Sequence, residues 1–494
     1  MNLDQQEKLD RMFHPRGVAV FGAVHEPAKF GHMMLQTLIR YGYSGRLYPV
    51  HAQGGEVYGL RVYHGLGEVE GPVDLACVCV PASGVPGVLR ECLARGVAGA
   101  QVLTSGFSET GDAEGMALQR ELAEIASRGI RVLGPNCFGA YIPRGGITLL
   151  PGFDFAKDAG PVALISQSGG VATDFGHEAR MAGFGVSKVI SFGNGCDLDA
   201  VELLDYLTED SETGYVGAYL AGVKDGSRFR SVLGRLTRKK PVVIWKGGLT
   251  PLGGRAAMSH TGSLGGESHV WDGVLAQTGA IPVQGLEELV DTLTALVHRR
   301  RPGRRIALVG GGGAIGVFSS DLAHCWGLEI PTFTLETQQR LRRWLTTPGN
   351  SVANPLDTGT PVLPLDALAS LIDEVLVREP VDALVLILLL HSLGVVLPEF
   401  MEMDGLPFPP MEAYLDQLLE VVDRLKGATG KDVVLVMENR ANRVQDLDIE
   451  GIYRSMRLRF QGRGIPVFPT TARALRAIRN ASSTSGIGQL NTGQ

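Results

Sequence analysis

The chain alternates short, uniformly apolar runs with longer segments in which apolar residues recur at helical spacing. Runs such as 17–23 (GVAVFGA), 74–81 (DLACVCVP) and 161–166 (PVALIS) are typical of strands that are buried on both faces, and Gly-rich turns separate them from amphipathic segments such as 113–129. Buried strands that alternate with helices indicate a parallel sheet flanked by helices. The pattern therefore predicts the α/β fold class.

This alternation of predicted strands and helices starts again twice along the chain, each time after a loop rich in glycine, proline or arginine. We therefore predict three Rossmann-like or flavodoxin-like parallel-sheet domains, over residues 1–150, 151–300 and 304–480. We interpret the basic stretch 298–305 (HRRRPGRR) as a linker and the polar segment 481–494, rich in small residues, as a flexible tail.

Composition and charge exclude several classes of protein. The 494 residues carry a formal net charge of −6, so no strong basic field favours nucleic-acid binding. Six scattered cysteines without CxxC pairs argue against a disulfide framework and a structural zinc site, and we predict no metal site in this chain. The N-terminus has no apolar signal core, and the apolar stretch 383–397 is shorter than the ~20 residues of a membrane span. We expect a cytoplasmic protein without a membrane segment.

Two turns between predicted strands and helices could bind an anion. Ligands of parallel α/β sheets bind at the carboxyl ends of strands, where helix N-termini offer free N–H groups to phosphates. Gly22, Ala23 and Val24 follow the first strand without GxGxxG spacing, so an ordinary turn is the alternative. Ser168 and the glycines after it, in 166–170 (SQSGG), form either an anion cradle or a simple N-cap.

A third turn, 258–266, places His260 among small hydroxyl residues and glycines after the strand predicted over 240–248. Histidine is a competent nucleophile for covalent catalysis, although a histidine satisfied within its own loop is the alternative.

Two further turns carry weaker signals. Residues 311–316 (GGGAIG) match GxGxxG, but no acidic residue follows about 20 positions on, which favours close helix packing over the site of an NAD-dependent dehydrogenase. In the turn 133–139, Cys137 has no neighbouring histidine in the sequence to activate it, so we favour a packing role.

Several segments together resemble the NDP-forming acyl-CoA synthetases, the superfamily that includes the α subunit of succinyl-CoA synthetase and the ADP-forming acetyl-CoA synthetases. The resemblance spans roughly residues 10–480, and 354–357 (NPLD) is similar to the extra α/β domain of ADP-forming α subunits. The segments that carry it are 134–141 (GPNCFGAY), 166–170 (SQSGG), 192–207 (FGNGCDLDAVELLDYL), 222–226 (GVKDG), 246–248 (KGG) and 259–266 (SHTGSLGG).

The resemblance implies an acid–thiol ligase that makes an acyl phosphate and an acyl-CoA and relays the phosphoryl group through a histidine. It makes His260 the phosphorylated residue, the first domain the CoA site and the second domain the site of the phosphohistidine. The residues implied in phosphate binding are Ser168, Gly169, Gly170, Thr261 and Gly262, and those implied in CoA binding are Gly22, Ala23, Val24, Lys29 and Asn136.

The superfamily binds nucleotide in an ATP-grasp module, and the three predicted domains leave no residues for one. The resemblance therefore implies a separate ATP-grasp β subunit in an α2β2 assembly. This subunit would bind ATP or ADP and supply most of the ligands of the magnesium ion. The other expected ligands are CoA and a small carboxylic acid.

Three positions differ from the family pattern. Ala221 stands where a glutamate that orients the histidine is usual, Val24 replaces a serine of the CoA turn, and a lysine usual near Gln53 is missing. These differences leave a second hypothesis open, in which the chain is a non-catalytic CoA- or acyl-CoA-binding regulatory or scaffold homologue without phosphotransfer.

Overall fold

The computed structural model describes residues 2–23, 26–261, 267–299, 303–345, 350–360, 363–403, 409–440 and 443–483, without the side chains of 257–261 and 445. Val24, Gly262, the linker residues 300–302 and the tail from 484 onward lie outside the described residues. The chain forms two compact units. The first consists of residues 1–180 and 184–289, and the second of 181–183 and 290–485.

The first unit begins with a five-stranded parallel sheet of order β2-β1-β5-β6-β7 and a small antiparallel ribbon, β3-β4. All five residues of its first strand are buried, as the apolar run predicts. The strands are β1 (Gly17–Phe21), β2 (Arg46–Val50), β3 (Gly55–Val57), β4 (Leu60–Val62), β5 (Leu75–Val78), β6 (Gly99–Val102) and β7 (Arg131–Leu133); the helices are α1 (Leu3–Phe13), α2 (Phe30–Tyr41), α3 (Val85–Ala94) and α4 (Ala113–Ala126).

A second sheet of the same unit has six strands in the order β13-β12-β11-β9-β10-β8, and all pairs are parallel except β10 with β8. Its strands are β8 (Gly139–Tyr141), β9 (Ala159–Ser166), β10 (Val186–Ser191), β11 (Tyr215–Leu220), β12 (Val242–Lys246) and β13 (Ile281–Val283). The helices that follow these strands are α5 (Gly169–Met181), α6 (Ala200–Glu209), α7 (Gly226–Leu236), α8 (Pro251–Thr261), α9 (Ser268–Thr278) and α10 (Leu286–His298).

The second unit contains a four-stranded parallel sheet in the order β14-β15-β16-β17. Its strands are β14 (Ile306–Gly310), β15 (Ala383–Leu389), β16 (Asp432–Glu438) and β17 (Val467–Phe468). Its helices are α11 (Gly313–Cys325), α12 (Leu335–Leu341), α13 (Leu365–Arg378), α14 (Leu397–Met403), α15 (Met411–Thr429), α16 (Leu447–Gly462) and α17 (Thr471–Ser482). None of the helices formed by described residues combines the length and apolar character needed to cross a lipid bilayer.

The predicted α/β class with several parallel sheets is confirmed, with local differences. The loop predicted over 258–266 is wrong at its start, because α8 continues through His260 to Thr261. Proline at the first position and two alanines farther on favour this helix. Likewise, α17 extends to Ser482, into the segment predicted as tail. Residues 139–141, inside the predicted range 1–150, pair with the second sheet; the predicted domain bounds remain a prediction.

Candidate functional site

The turn after β1 is tightly packed around two glycines. Gly22 has a φ of +84°, and a Cβ there would collide with the carbonyl oxygen of Cys79. The next helix, α2, begins at Phe30, and no described side chain caps its first turn. Gly31 packs against the Gly22 carbonyl so closely that a Cβ would overlap it. The start of α2 therefore keeps backbone donors for an anion.

The other residues predicted for CoA binding near this turn differ in accessibility. Ala23 is fully buried. The Lys29 side chain is exposed, and its Nζ lies 3.8 Å from a carboxylate oxygen of Glu26. Val24 lies outside the described residues, and Gln53 is exposed in the loop after β2. Lys29 is thus an exposed cation next to this turn.

Asn136 lies in the turn that leads from the first sheet to the second. Its φ of +56° is unusual for a side-chain-bearing residue, and its N–H donates to the Thr104 carbonyl at 2.9 Å. Its Nδ2 lies 3.4 Å from Asn194 Oδ1. Two residues later, the Phe138 N–H donates to Ser191 Oγ at 3.1 Å. The turn is therefore held by strands of both sheets.

The connection between β9 and α5 is a compact hydroxyl-rich turn. Ser166 Oγ donates to the Ser168 carbonyl at 2.7 Å and accepts from the Ser168 N–H at 3.1 Å. Ser168 Oγ in turn accepts from the Val171 N–H at 3.4 Å. The turn thus fixes the backbone at the start of α5, where the helix dipole favours a negative charge.

The two glycines at the start of α5 have different surroundings. A Cβ on Gly169 would lie 2.5 Å from Cγ of Phe138, whereas the nearest atom to a Cβ on Gly170 is Ser168 Oγ at 3.8 Å. Phe138 is 37% exposed. The structure therefore brings the turn at 136–138 against the predicted phosphate cradle.

The corner that contains Ala221 is held by Gln167 and Lys246. Neither residue was predicted from the sequence to be a site residue. Gln167 Oε1 accepts from the N–H groups of Ala221 and Gly222, the latter at 3.0 Å. Lys246 Nζ donates to the Ala221 carbonyl at 2.8 Å and also to that of Gly247. A lysine ending the apolar strand VVIWK was the available sequence signal for this contact.

These segments lie along one edge of the second sheet. The strands β9, β11 and β12 run parallel, with Ser166 beside Tyr219 and Leu220 beside Lys246, so their carboxyl ends meet. The helix that follows β12 is α8, which carries His260 and Thr261 in its last turn. Their side chains are not described, and Gly262 lies outside the described residues.

Comparisons with known proteins agree with this arrangement. Residues 16–143 match the profile of a CoA binding domain, and residues 159–296 match that of a succinyl-CoA ligase like flavodoxin domain.

Full-length relatives extend the match. The α subunit of acetate–CoA ligase [ADP-forming] II from Pyrococcus furiosus is 37% identical over 350 residues, which cover 71% of this chain and 76% of that protein. A trans-feruloyl-CoA synthase from an unknown prokaryotic organism is 29% identical over 97% of this chain and 65% of its own length.

Among solved structures, the dinucleotide forming acetyl-coenzyme A synthetase 1 of Ca. Korarchaeum cryptofilum, in complex with phosphate and ADP, matches with a TM-score of 0.80 and 30% identity over 97% of each chain. The fold and site thus define a CoA-binding, succinyl-CoA ligase-like protein. Within that class, the chain belongs to the family of the α subunits of ADP-forming acyl-CoA synthetases.

Proposed function

We propose that this chain is the α subunit of an ADP-forming acyl-CoA synthetase that interconverts a carboxylic acid, CoA and ATP with acyl-CoA, ADP and phosphate. One observation carries the proposal. At the carboxyl edge of the second sheet, the Ser168 turn leads into α5, and β12 is followed by α8, the helix that contains His260. Relatives whose names state ADP-forming CoA ligation support it.

The reaction proceeds in three balanced steps in the direction of acyl-CoA. A nitrogen of the His260 imidazole attacks the γ-phosphorus of ATP, so that an N–P bond forms and ADP leaves. A carboxylate oxygen of the acid then attacks that phosphorus, which gives the acyl phosphate and frees the imidazole. The CoA thiol finally attacks the acyl carbon, so that a C–S bond forms, the C–O bond breaks, phosphate leaves and the thiol proton passes to solvent.

The chain's own residues contribute binding and orientation to these steps. The start of α5, at Ser168, Gly169 and Gly170, stabilises the phosphoryl group through backbone N–H groups and the helix dipole. Thr261 and Gly262, which follow His260 in the sequence, are proposed to bind the same group. A side-chain carboxylate at Ala221 is absent, so orientation of the imidazole depends on other groups.

CoA is assigned to the first sheet. The turn of Gly22, Ala23 and Val24 brings backbone close to the diphosphate, because a Cβ at Gly22 has no room and the first turn of α2 has no described side-chain cap. Lys29 supplies a cation, and Asn136 an amide, at the same carboxyl edge of this sheet.

The nucleotide half-reaction requires an ATP-grasp partner chain in an α2β2 assembly. The described residues form three larger sheets and a two-stranded ribbon. A longer relative, the trans-feruloyl-CoA synthase, is covered over 65% of its own length, so it has residues beyond the match. In this assignment the partner binds ATP or ADP and supplies most of the magnesium ligands. The complex is assigned to the cytoplasm.

Incubation of the chain and its candidate partner with γ-labelled ATP tests the proposal. We expect an acid-labile, base-stable label on the wild-type chain and none on His260→Ala. Absence of the label from the wild type would favour a non-catalytic CoA-binding protein. Persistence of the label in His260→Ala would show that another residue carries the phosphoryl group and would overturn the role of His260.

A further inference from the structure

Three lysines near the second sheet are almost entirely buried. Lys188 lies on β10 and is 0% exposed, Lys240 precedes β12 and is 8% exposed, and Lys246 ends β12 and is 5% exposed. A buried ammonium group is strongly unfavourable unless it is paired and hydrogen bonded. Each of the three therefore needs a source of negative charge.

Lys188 has that source in direct contact, and Lys240 has two carboxylates near it without a direct ion pair. Lys188 Nζ lies 2.9 Å from Asp210 Oδ2 and 2.6 Å from Glu212 Oε2. Lys240 Nζ donates to the carbonyls of Leu207 and Asp210, both at 2.6 Å. Burial lowers the pKa of Lys240 to about 8, against the opposing attraction of the nearby carboxylates of Asp210 and Glu209.

Lys246 has hydrogen bonds but no balancing carboxylate. Its Nζ donates to the carbonyls of Ala221 and Gly247 and lies 5.0 Å from the ring centroid of Trp271. Within the described part of the chain no carboxylate oxygen lies within 4.0 Å of it, and the segment 257–266 contains no Asp or Glu. Burial alone lowers the pKa of Lys246 to about 8.

The position of this unbalanced charge matches the edge at which an anion is expected. Lys246 binds the carbonyl of Ala221, whose N–H binds Gln167, the residue directly before the Ser168 turn and α5. Two hydrogen-bonded steps therefore connect the ammonium group to the predicted phosphate cradle.

We propose that Lys246 is the positioning cation of the bound phosphoryl group: it fixes the Ala221–Gly222 corner beside the cradle and balances the phosphoryl charge without touching it. The inference rests on the proposed function, which supplies the anion at the start of α5. Lys240, at the other end of the same strand, is the matched structural counterpart, because it is equally buried and also donates to two backbone carbonyls.

The affinity of the full chain for inorganic phosphate, measured by titration calorimetry at neutral pH, tests this role. We expect Lys246→Met to weaken phosphate binding by about tenfold or more, because a positive charge linked to the cradle through the Ala221 corner is removed. Lys246→Arg, which keeps the charge, and Lys240→Met, which removes a buried lysine elsewhere, should both bind phosphate within about twofold of wild type. Thermal unfolding of each variant establishes that it is folded at the temperature of the titration.

Lys246→Gln serves if Lys246→Met does not fold, because glutamine keeps a hydrogen-bond donor and loses the charge; it should weaken binding as strongly. Wild-type affinity in Lys246→Met or Lys246→Gln would overturn the proposal, as would an equal loss in Lys240→Met or absence of phosphate binding by the wild type. These phosphate affinities are measured without phosphoryl transfer. Failure to label His260 would therefore overturn the proposed function, but the affinities of the wild type and the Lys246 variants could still be compared.

Discussion

The two ends of β12 show how differently the two edges of the second sheet use charge. At the amino end, Lys240 is surrounded by carbonyls and carboxylates of its own chain. At the carboxyl end, Lys246 has carbonyls and an aromatic ring but no described carboxylate. We infer that the charges of the amino edge stabilise the fold, and we propose that the charge and backbone donors of the carboxyl edge serve a ligand.

The first sheet repeats this difference. Before β5, the Asp74 carboxylate accepts from the guanidinium groups of Arg11 and Arg16 at 2.8 Å each. At the opposite edge, the Gly22 turn and the start of α2 present backbone groups without a described side-chain cap. This arrangement agrees with the proposed binding of ligands at the carboxyl edges of these sheets.

The largest expected effect on stability comes from breaking an ion pair at the amino edge of the second sheet. Asp210→Asn removes a carboxylate from the fully buried Lys188, and breaking a buried ion pair costs ~3–5 kcal/mol. We expect a loss of about 3 kcal/mol in the free energy of unfolding, because Glu212 continues to pair with the lysine. Urea denaturation measures the loss, and phosphate affinity should stay unchanged. A loss of phosphate affinity in the folded variant would contradict the separation of the two edges.

The next effect concerns the carboxyl edge. In Gly169→Ala the new Cβ would lie 2.5 Å from the Phe138 ring, and overpacking of this kind costs ~1–3 kcal/mol. We expect lower thermal stability together with weaker phosphate binding. Gly170→Ala is the control, since its Cβ has no atom closer than 3.8 Å. Equal behaviour of the two variants would mean that contact with Phe138 does not shape the cradle.

A smaller effect is pH-dependent and belongs to the amino edge of the first sheet. Burial raises the pKa of Asp74, but the hydrogen bonds and charges of Arg16 and Arg11 outweigh it and lower the pKa from 3.8 to about 2. The folded-state pKa is depressed, so this stabilisation is present above about pH 4 and is lost as the pH falls toward 2. Asp74→Asn should lower stability by about 2 kcal/mol at pH 7. Unfolding curves of the wild type and of Asp74→Asn at pH 7 and near pH 2 should show that their difference in the free energy of unfolding vanishes near pH 2. A difference that stays constant between the two pH values would refute the pKa assigned to Asp74.

The smallest effect is expected from an exposed ion pair at the same edge as Lys240. Glu209 and Lys239 are joined at 2.6 Å, but their side chains are 60% and 50% exposed. Exposed pairs contribute ~0–1 kcal/mol, so Glu209→Gln should change the free energy of unfolding by less than about 1 kcal/mol. A larger loss in urea denaturation would show that Glu209 also matters for the buried Lys240.

The sequence predicted those features that depend on local pattern. Uniformly apolar runs identified the buried strands, as in β1 and β15, because a strand covered on both faces needs no polar positions. The Gly-rich turn before α5 was likewise visible, because a tight strand-to-helix connection requires small residues.

Features created by tertiary packing were not visible. The pairing of β8 with β10 depends on which strand lies nearby in space. The roles of Gln167 and Lys246 arise from hydrogen bonds across neighbouring strands, between residues 54 and 25 positions apart in the chain. The helical state of His260 was missed because small hydroxyl and glycine residues after it suggested a loop, while tertiary context overrides such weak preferences.

Partner-free phosphorylation tests the central claim most directly. The isolated chain, incubated with acetyl-CoA as the probe and labelled inorganic phosphate, should acquire an acid-labile phosphoryl group that peptide mass spectrometry assigns to His260, and His260→Ala should remain unlabelled. A label on another residue, or equal labelling of wild type and His260→Ala, would contradict a phosphoryl relay at the carboxyl edge of the second sheet.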